Sequence, residues 1–199
     1  MRQMDSPVLC LASVSPRRHE LLAQIDVPHT VAGAHIDETV LPGESPREYV
    51  TRMAREKALA VRGKGETLPV LAADTTVVLD DVIFGKPEGR ADGLAMLGKL
   101  SGRTHDVLTA VALLVGADVS VSVSTSEVRF RPLAAEECAA YWATGEPHDK
   151  AGSYAIQGRG ALFIEWLSGS YSGVMGLPLY ETAELLRAAG IPCWCGASR

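Results

Sequence analysis

Hydrophobic and polar residues follow one another along this chain in short blocks, and the period of each block distinguishes strands from helices. Apolar runs bounded by turn residues predict strands, and amphipathic segments that open on serine and proline predict helices. The predicted strands are 8–12, 28–32, 69–73, 77–79, 82–84, 105–115, 119–130 and 161–167, and the predicted helices begin at Pro16 or span 46–62, 91–99, 134–144 and 179–189.

Two predicted hairpins interrupt the alternation of strands and helices. One turns at Asp80 and Asp81, and the other turns at 116–118. Because hairpins are antiparallel whereas strand–helix–strand units are parallel, the pattern predicts an α/β fold with a mixed, twisted sheet. We expect helices to flank this sheet and a central cleft to separate two lobes. A length of 199 residues with 47% hydrophobic residues suits a single domain over 1–199.

Composition argues against several kinds of partner. A net charge of −5 is the wrong sign for a broad nucleic-acid interface. The apolar stretches are far shorter than the roughly 20 residues that span a bilayer, and the N-terminal residues lack the apolar core of a signal peptide. We therefore expect a cytoplasmic protein with no nucleic-acid and no membrane partner.

The four cysteines indicate no metal or disulfide framework. Cys10 falls in the first strand and Cys138 in a helix, where a free cysteine behaves as a small hydrophobe. Cys193 and Cys195 form a C-x-C pair with no second pair at zinc-binding spacing. A structural or incidental role is favoured over a metal clip.

The first strand, turn and helix start form a candidate anion site. Ser15 suits the N-cap and Pro16 the first helical position, so unpaired backbone N–H groups and the helix dipole point at the turn. Arg17 and Arg18 in the first turn oppose that dipole unless they hold a phosphate. A surface turn with two solvated arginines is the alternative that these residues alone leave open.

Three other charged residues stand out by position. Lys57 falls on the apolar stripe of its predicted helix, where a lysine needs an anionic partner. Asp74 directly follows a buried strand, the usual place for a group that faces a ligand crevice. Lys86 precedes a proline beside the first hairpin. The corresponding alternatives are a polar residue that starts a turn for Asp74 and an exposed surface lysine for Lys86.

Five motifs occur in the order that one family shows. They are LASVSPRR, AADTTVVLDD, FGKPEGR, LSGRTHDVLTAVAL and EPHDKAGSYAIQGRGALFIEWLSGSYSGVMGLPLYET, and the resemblance that they carry extends over roughly residues 9–186. The chain thereby resembles the Maf family of nucleoside triphosphate pyrophosphatases, whose fold is related to that of the inosine triphosphatases. The resemblance implies hydrolysis of a nucleoside triphosphate to the monophosphate and pyrophosphate, a divalent metal cofactor (Mg, Mn or Co) and a homodimer.

The resemblance also implies a set of site residues. Those that match the family's catalytic and phosphate-binding positions are Ser13, Arg17, Arg18, Glu38, Lys57, Asp74, Lys86 and Gln157. We expect Asp74 to act as general base or as a metal ligand, and Glu38 to be the other metal carboxylate. Ser13 and the two arginines would cradle the triphosphate, and Lys57 and Lys86 would neutralise charge as bonds shift.

The same resemblance predicts a substrate subclass. Arg17, Thr75, Lys150 and Gln157 resemble the members that act on dTTP and UTP, whereas those that act on 7-methylguanosine triphosphate carry Trp, Gln, Cys and Glu there. The Gln157 amide offers one donor and one acceptor, which suits the O4/N3–H edge of thymine or uracil, so CTP should be weaker. Alternatively, these positions only fill space and cleft width sets the selectivity.

Two rival functions remain open at the level of sequence. One is a regulatory protein of septum formation that binds a nucleotide without turnover, and the other is an inosine or xanthosine triphosphatase, based on the shared fold alone. Two segments are expected to be structural: His105 as a hydrogen-bonded core histidine, and 172–178 as a tight strand-to-helix connection.

Overall fold

A computed structural model describes residues 6–194, so Cys195 lies outside the described residues. The strands are β1 (Leu9–Leu11), β2 (His29–Val31), β3 (Val70–Leu79), β4 (Val82–Phe84), β5 (Thr104–Val115), β6 (Asp118–Phe130) and β7 (Ile164–Ser168). The helices are α1 (Pro16–Gln24), α2 (Pro46–Arg62), α3 (Arg90–Leu100), α4 (Ala135–Trp142), α5 (Tyr171–Met175) and α6 (Leu179–Ala188), with 3-10 turns at Ala151–Ser153 and Arg159–Phe163.

All the strands belong to one mixed sheet, which confirms the predicted fold class. The order is β2-β1-β3-β5-β6-β7, with β4 paired to β3. β1 runs parallel to both β2 and β3, and every other pair is antiparallel. The parallel part comes from the strand–helix–strand units, and the antiparallel part comes from the two hairpins.

Helices cover both faces of the sheet. On one face, Val50 and Ala54 of α2 pack in one cluster with Ala110 and Ala112 of β5. The opposite face carries two separate clusters, one around α1 and α6 and the other around α3 and α4.

Strand β3 joins these two clusters. Leu71 and Ala73 belong to the cluster around α1 and α6, and Val77 and Leu79 belong to the cluster around α3 and α4. Alternate residues of a strand point to the same face, so Thr75 falls between the two lobes. The predicted cleft is confirmed, and it crosses the sheet at the middle of β3.

Three predicted boundaries are wrong in instructive ways. Residues 74–76 do not interrupt the strand, because β5 pairs with β3 from Val70 to Val78 and holds the polar Asp-Thr-Thr run in extended form. Strand 161–167 starts late, since residues 159–163 form a 3-10 turn. Segment 172–178 contains the short helix α5, capped by Ser170, whose hydroxyl accepts a hydrogen bond from the Gly173 N–H at 2.9 Å.

Within residues 6–194, no helix is both long and apolar enough to cross a membrane.

Candidate active site

The site lies where β3 runs past its neighbouring strand. β1 pairs with β3 only at Val70 and Leu71, and β4 pairs with the same edge from Val77 onward. Among the described residues, no strand pairs with this edge of β3 between those two points. Asp74 was expected to follow the end of a strand, but it lies inside β3, and the crevice opens because β1 ends.

Lys57 stands between two carboxylates at this opening. Its Nζ is 2.6 Å from Asp74 Oδ1 and 2.7 Å from Glu38 Oε1. Lys57 and Asp74 are buried, whereas the Glu38 side chain is 44% exposed. The inward-facing lysine therefore has the anionic partners that its helical position required, and it links α2, β3 and the loop that carries Glu38.

The two carboxyl groups have different electrostatic environments. Burial raises the pKa of Asp74, and the charges of Lys57 and Arg18 offset only part of that effect. Burial also acts to raise the pKa of Glu38, but Lys57, Lys86 and Arg18 outweigh it and lower that pKa below its ordinary value. Asp74 is therefore more basic than an ordinary aspartate, as a general base would be, whereas Glu38 is less basic than an ordinary glutamate.

The loop that carries Glu38 is fixed by α2. The Tyr49 hydroxyl donates to the Glu38 carbonyl at 3.1 Å, and an Arg52 N–H donates to the Thr39 carbonyl at 2.9 Å. Arg52 also pairs with both oxygens of Glu44, at 2.6 and 2.7 Å. Sequence reasoning missed Tyr49 and Arg52; their positions near the start of an amphipathic helix gave no sign of a partner in an irregular loop.

Arg17 and Arg18 lie at the start of α1 and contact the end of α5. Arg18 Nε donates to the Gly176 carbonyl at 2.7 Å, and Arg17 Nε to the Met175 carbonyl at 3.3 Å. Burial lowers the pKa of both guanidinium groups. Within the described chain, neither arginine forms an ion pair with a carboxylate, so both cations are available to an anion in the cavity.

The roles of Ser13 and Ser15 differ from the sequence prediction. Ser15 occupies the N-cap of α1, but its hydroxyl makes no capping hydrogen bond. Instead, Ser13 Oγ accepts the Ser15 N–H at 3.2 Å and an Arg18 N–H at 3.4 Å. Ser13 thus stabilises the turn and the arginine together.

The hydroxyl groups of Thr75 and Thr109 link Arg18 to the Gly173 carbonyl and so orient the guanidinium group. Thr109 Oγ1 donates to the Gly173 carbonyl at 2.7 Å and lies 2.9 Å from Thr75 Oγ1. Since the proton of Thr109 is committed to the carbonyl, Thr75 donates to Thr109 and accepts from Arg18 at 3.3 Å. Thr109 was not predicted as a site residue, because a threonine in a strand reads as an ordinary β-former.

All nine predicted site residues line one cavity of about 390 Å³. Gln157 and Lys86 lie at its rim, and both are exposed. Asp149 and Lys150 form an ion pair in the cavity wall.

His105 is a structural residue, as predicted. Its Nε2 lies 2.9 Å from the Tyr154 hydroxyl, and its ring packs edge-on against Phe130. Burial lowers the pKa of His105 to about 4, so the ring is neutral at physiological pH.

The residues present fit a divalent cation of the magnesium type. Among residues 6–194, no cluster of three or more His, Cys, Asp or Glu side chains forms a metal cage, and Cys193 is a free thiol. Asp74 and Glu38 nevertheless converge on one point, which a positive charge from Lys57 now occupies. Mg²⁺ is commonly bound through one or two carboxylates, with substrate phosphates and water completing its shell.

Sequence comparison relates this chain to a family of known proteins. The sequence model of the family described as Maf, Maf-like protein, matches residues 8–189. The chain is 54% identical over 192 residues to the dTTP/UTP pyrophosphatase of Methylococcus capsulatus, covering 95% of this chain and 94% of that protein. It is 52% identical over 198 residues to the dTTP/UTP pyrophosphatase of Bordetella parapertussis, covering 94% and 95%.

A further relative and one solved structure complete the comparison. The dTTP/UTP pyrophosphatase of Alkalilimnicola ehrlichii is 53% identical over 186 residues, covering 90% of this chain and 92% of that protein. The Staphylococcus aureus Ham1 protein superposes with a TM-score of 0.44 at 15% identity, over 61% of this chain and 71% of that one. Because the family model spans most of the sequence and the relatives are more than half identical along nearly their whole length, this chain belongs to the Maf family.

Proposed function

We propose that this protein hydrolyses dTTP and UTP to the nucleoside monophosphate and pyrophosphate. We further propose that residues 1–199 form one catalytic domain that acts in the cytoplasm. The observation that carries the proposal is the cavity in which Lys57 bridges Asp74 and Glu38, beside two arginines that form no ion pair with a carboxylate among residues 6–194. A triphosphate needs cations to offset its charge and carboxylates to hold a metal and activate water. Relatives more than 50% identical carry the name of this activity.

We assign phosphate binding to the turn between β1 and α1. The Arg17 and Arg18 Nε atoms are held by backbone carbonyls, so the arginines approach a bound phosphate already oriented. Ser13 Oγ and the N-terminal N–H groups of α1 add donors at the same point. Lys86 at the rim supplies a further cation.

Asp74 is the residue that we assign to water activation. Its burial raises its pKa, which makes the carboxylate a better proton acceptor than an exposed aspartate. Asp74 and Glu38 would hold Mg²⁺, Mn²⁺ or Co²⁺, which would supply a Lewis acid for the phosphate oxygens. Asp74 then either takes the proton of the attacking water or positions that water as a metal ligand.

Lys57 keeps the two carboxylates charged and apart. Without the ammonium group that contacts both of them, the Asp74 and Glu38 carboxylates would repel each other, and one would take up a proton. By pairing with both, at 2.6 and 2.7 Å, the ammonium allows a buried and a half-exposed carboxylate to coexist before substrate binds.

Three side chains support the substrate subclass. Arg17, Lys150 and Gln157 line the cavity and are poor partners for a cationic methylated purine. The Gln157 amide suits the neutral edge of thymine or uracil. Thr75 differs from the other three, since its hydroxyl is engaged by Arg18 and Thr109, and it acts on the phosphate end.

A substrate panel with separate detection of pyrophosphate and orthophosphate tests the proposal. The panel contains dTTP, UTP, CTP, inosine triphosphate and 7-methylguanosine triphosphate, each with magnesium, manganese or cobalt. We expect pyrophosphate as the direct product, with dTTP and UTP well ahead. Direct release of orthophosphate would refute the pyrophosphatase assignment. Nucleotide binding without turnover would instead favour the regulatory protein.

The proposed homodimer rests on the family resemblance. Light scattering coupled to size-exclusion chromatography should give about twice the mass of the 21.1 kDa chain. A mass equal to that of one chain at working concentration would refute it.

A further inference from the structure

The loop from Ala155 to Gly160 presents Gln157 to the cavity, and its conformation is fixed from outside the cavity. Gln157 is exposed and lines the cavity, while Ala155 and Gly160 on either side of it are buried. Within the described residues, the Gln157 amide has no hydrogen-bond partner, so the side chain is free to meet a ligand. Its position is therefore set by whatever fixes the backbone of the loop.

Two side chains close the two ends of this loop. The Tyr141 hydroxyl, on α4, accepts the Ala155 N–H at 3.0 Å and donates to Glu146 Oε1 at 2.7 Å. Glu146 accepts the Arg159 N–H at 3.0 Å and the Gly160 N–H at 3.1 Å. The loop's two ends are thus tied together by one tyrosine–carboxylate pair.

The protonation states give this pair a definite polarity. Burial acts to raise the pKa of Glu146, but three hydrogen bonds from Arg159, Tyr141 and Gly160 lower it below the ordinary value. Burial and the adjacent carboxylate raise the pKa of Tyr141. Glu146 is therefore an acceptor on both oxygens, and Tyr141 is a phenol that donates to it.

The packing around the loop leaves no room for a Cβ atom at positions 158 and 160. A Cβ at position 158 would lie 2.4 Å from the Glu146 carboxylate, and a Cβ at position 160 would lie 2.6 Å from the Ala155 carbonyl oxygen. Only glycine allows the loop backbone to approach Glu146 this closely. The glycines of the IQGRG segment and Glu146 thus form one unit.

We propose that Glu146 and Tyr141 are positioning residues that hold Gln157 against the pyrimidine base and thereby set the preference for uracil and thymine over cytosine. The inference rests on the proposed function. UTP and CTP share sugar and phosphates and differ only at the N3/C4 edge that an amide would meet, so their ratio of kcat/KM isolates base recognition.

Two variants remove the clamp in different ways. Glu146→Gln places an NH₂ group where a carboxylate oxygen accepts a backbone N–H, and Tyr141→Phe removes the acceptor of the Ala155 N–H. In both, we expect the UTP:CTP ratio to fall about fivefold or more, mainly through KM for UTP, with kcat nearly unchanged. Glu137→Gln is the matched control, since that carboxylate pairs with Arg131 and caps α4, and these hydrogen bonds do not involve residues 155–160.

A double-mutant cycle separates positioning from general destabilisation. If Glu146 acts through Gln157, then Glu146→Gln should leave the ratio unchanged in a Gln157→Ala background. Equal, additive losses in the two backgrounds, or an unchanged ratio in both clamp variants, would overturn the inference while the proposed function stands. If the wild-type protein turns over neither dTTP nor UTP, the proposed function fails, and this inference fails with it.

Discussion

The two ends of the cavity are built on opposite principles. At the phosphate end, charged side chains on regular elements are held by other parts of the fold: Lys57 of α2 reaches Asp74 of β3, and Arg18 of α1 donates to the Gly176 carbonyl just beyond α5. At the base end, a loop presents one amide to the cavity, and the residues that fix the loop lie behind it. Loss of a side chain at the first end should remove chemistry, whereas loss at the second should remove discrimination.

Asp74 provides the largest test of the phosphate end. Asp74→Asn keeps the shape but removes the charge and basicity, so turnover should fall by about two orders of magnitude or more. Because burial raises the pKa of Asp74, folding favours its uncharged form, and the neutral variant should not be less stable on that account. Lys57 also retains Glu38 at 2.7 Å. Steady-state kinetics and thermal unfolding check both parts, and wild-type turnover would remove Asp74 from the mechanism.

Lys57→Met keeps the apolar stem and removes the ammonium that separates the two carboxylates. We expect kcat to fall more than about tenfold, together with a lower melting temperature, because Asp74 loses a buried partner. Lys64→Met is the control: Lys64, just beyond the end of α2, donates to the Gly33 carbonyl at the surface. A loss of stability with unchanged kcat would make Lys57 a structural residue.

Thr109 provides a smaller test of the difference between the phosphate end and the base end, since it acts on the phosphate end only through other residues. Thr109→Val is nearly isosteric but breaks the hydroxyl chain between Thr75 and the Gly173 carbonyl, so Arg18 loses part of its orientation. KM for all triphosphates should rise about tenfold with the UTP:CTP ratio unchanged. Thr125→Val, on the exposed face of the adjacent strand, should change neither. A changed ratio would show that the two ends are coupled.

The sequence reveals most of the phosphate end and little of its supports. The capping box of α2 and the apolar stripe that includes Lys57 follow from local spacing, and the structure has both. Asp74 is visible as a polar residue beside an apolar run, but its place inside β3 depends on pairing with β5, which is thirty or more residues away. Local patterns carry no information about such long-range pairing.

The helix α5 is a second element that local sequence patterns do not predict. Five residues are too few to produce a helical period, so the segment reads as a connection. Its carbonyls at 175 and 176 nevertheless hold both arginines, which lie more than 150 residues earlier in the chain. Likewise, Glu146 carries no sign in the sequence that its three donors come from Tyr141 and from residues 159 and 160.

His105 gives the base end of the cavity a sensitivity to pH. His105 forms a hydrogen bond with the hydroxyl of Tyr154, which immediately precedes the Gln157 loop, and burial lowers the pKa of His105 to about 4, against about 6.5 when unfolded. A folded-state pKa below the unfolded one means that the unfolded chain binds the proton more tightly. The contribution of His105 to stability is therefore complete above about pH 6.5 and is lost as the pH falls through about 4.

Between pH 7 and pH 5 this residue alone should lower the free energy of unfolding by about 2 kcal/mol. Urea unfolding at the two pH values measures the change, and hydrogen exchange should show the amides of 155–160 opening before those of β3. His105→Gln should be less stable at pH 7 yet lose less stability on acidification, because it has no proton to bind. If wild type and variant lose the same amount, other groups cause the acid response, and the base end is no more sensitive to pH than the rest of the molecule.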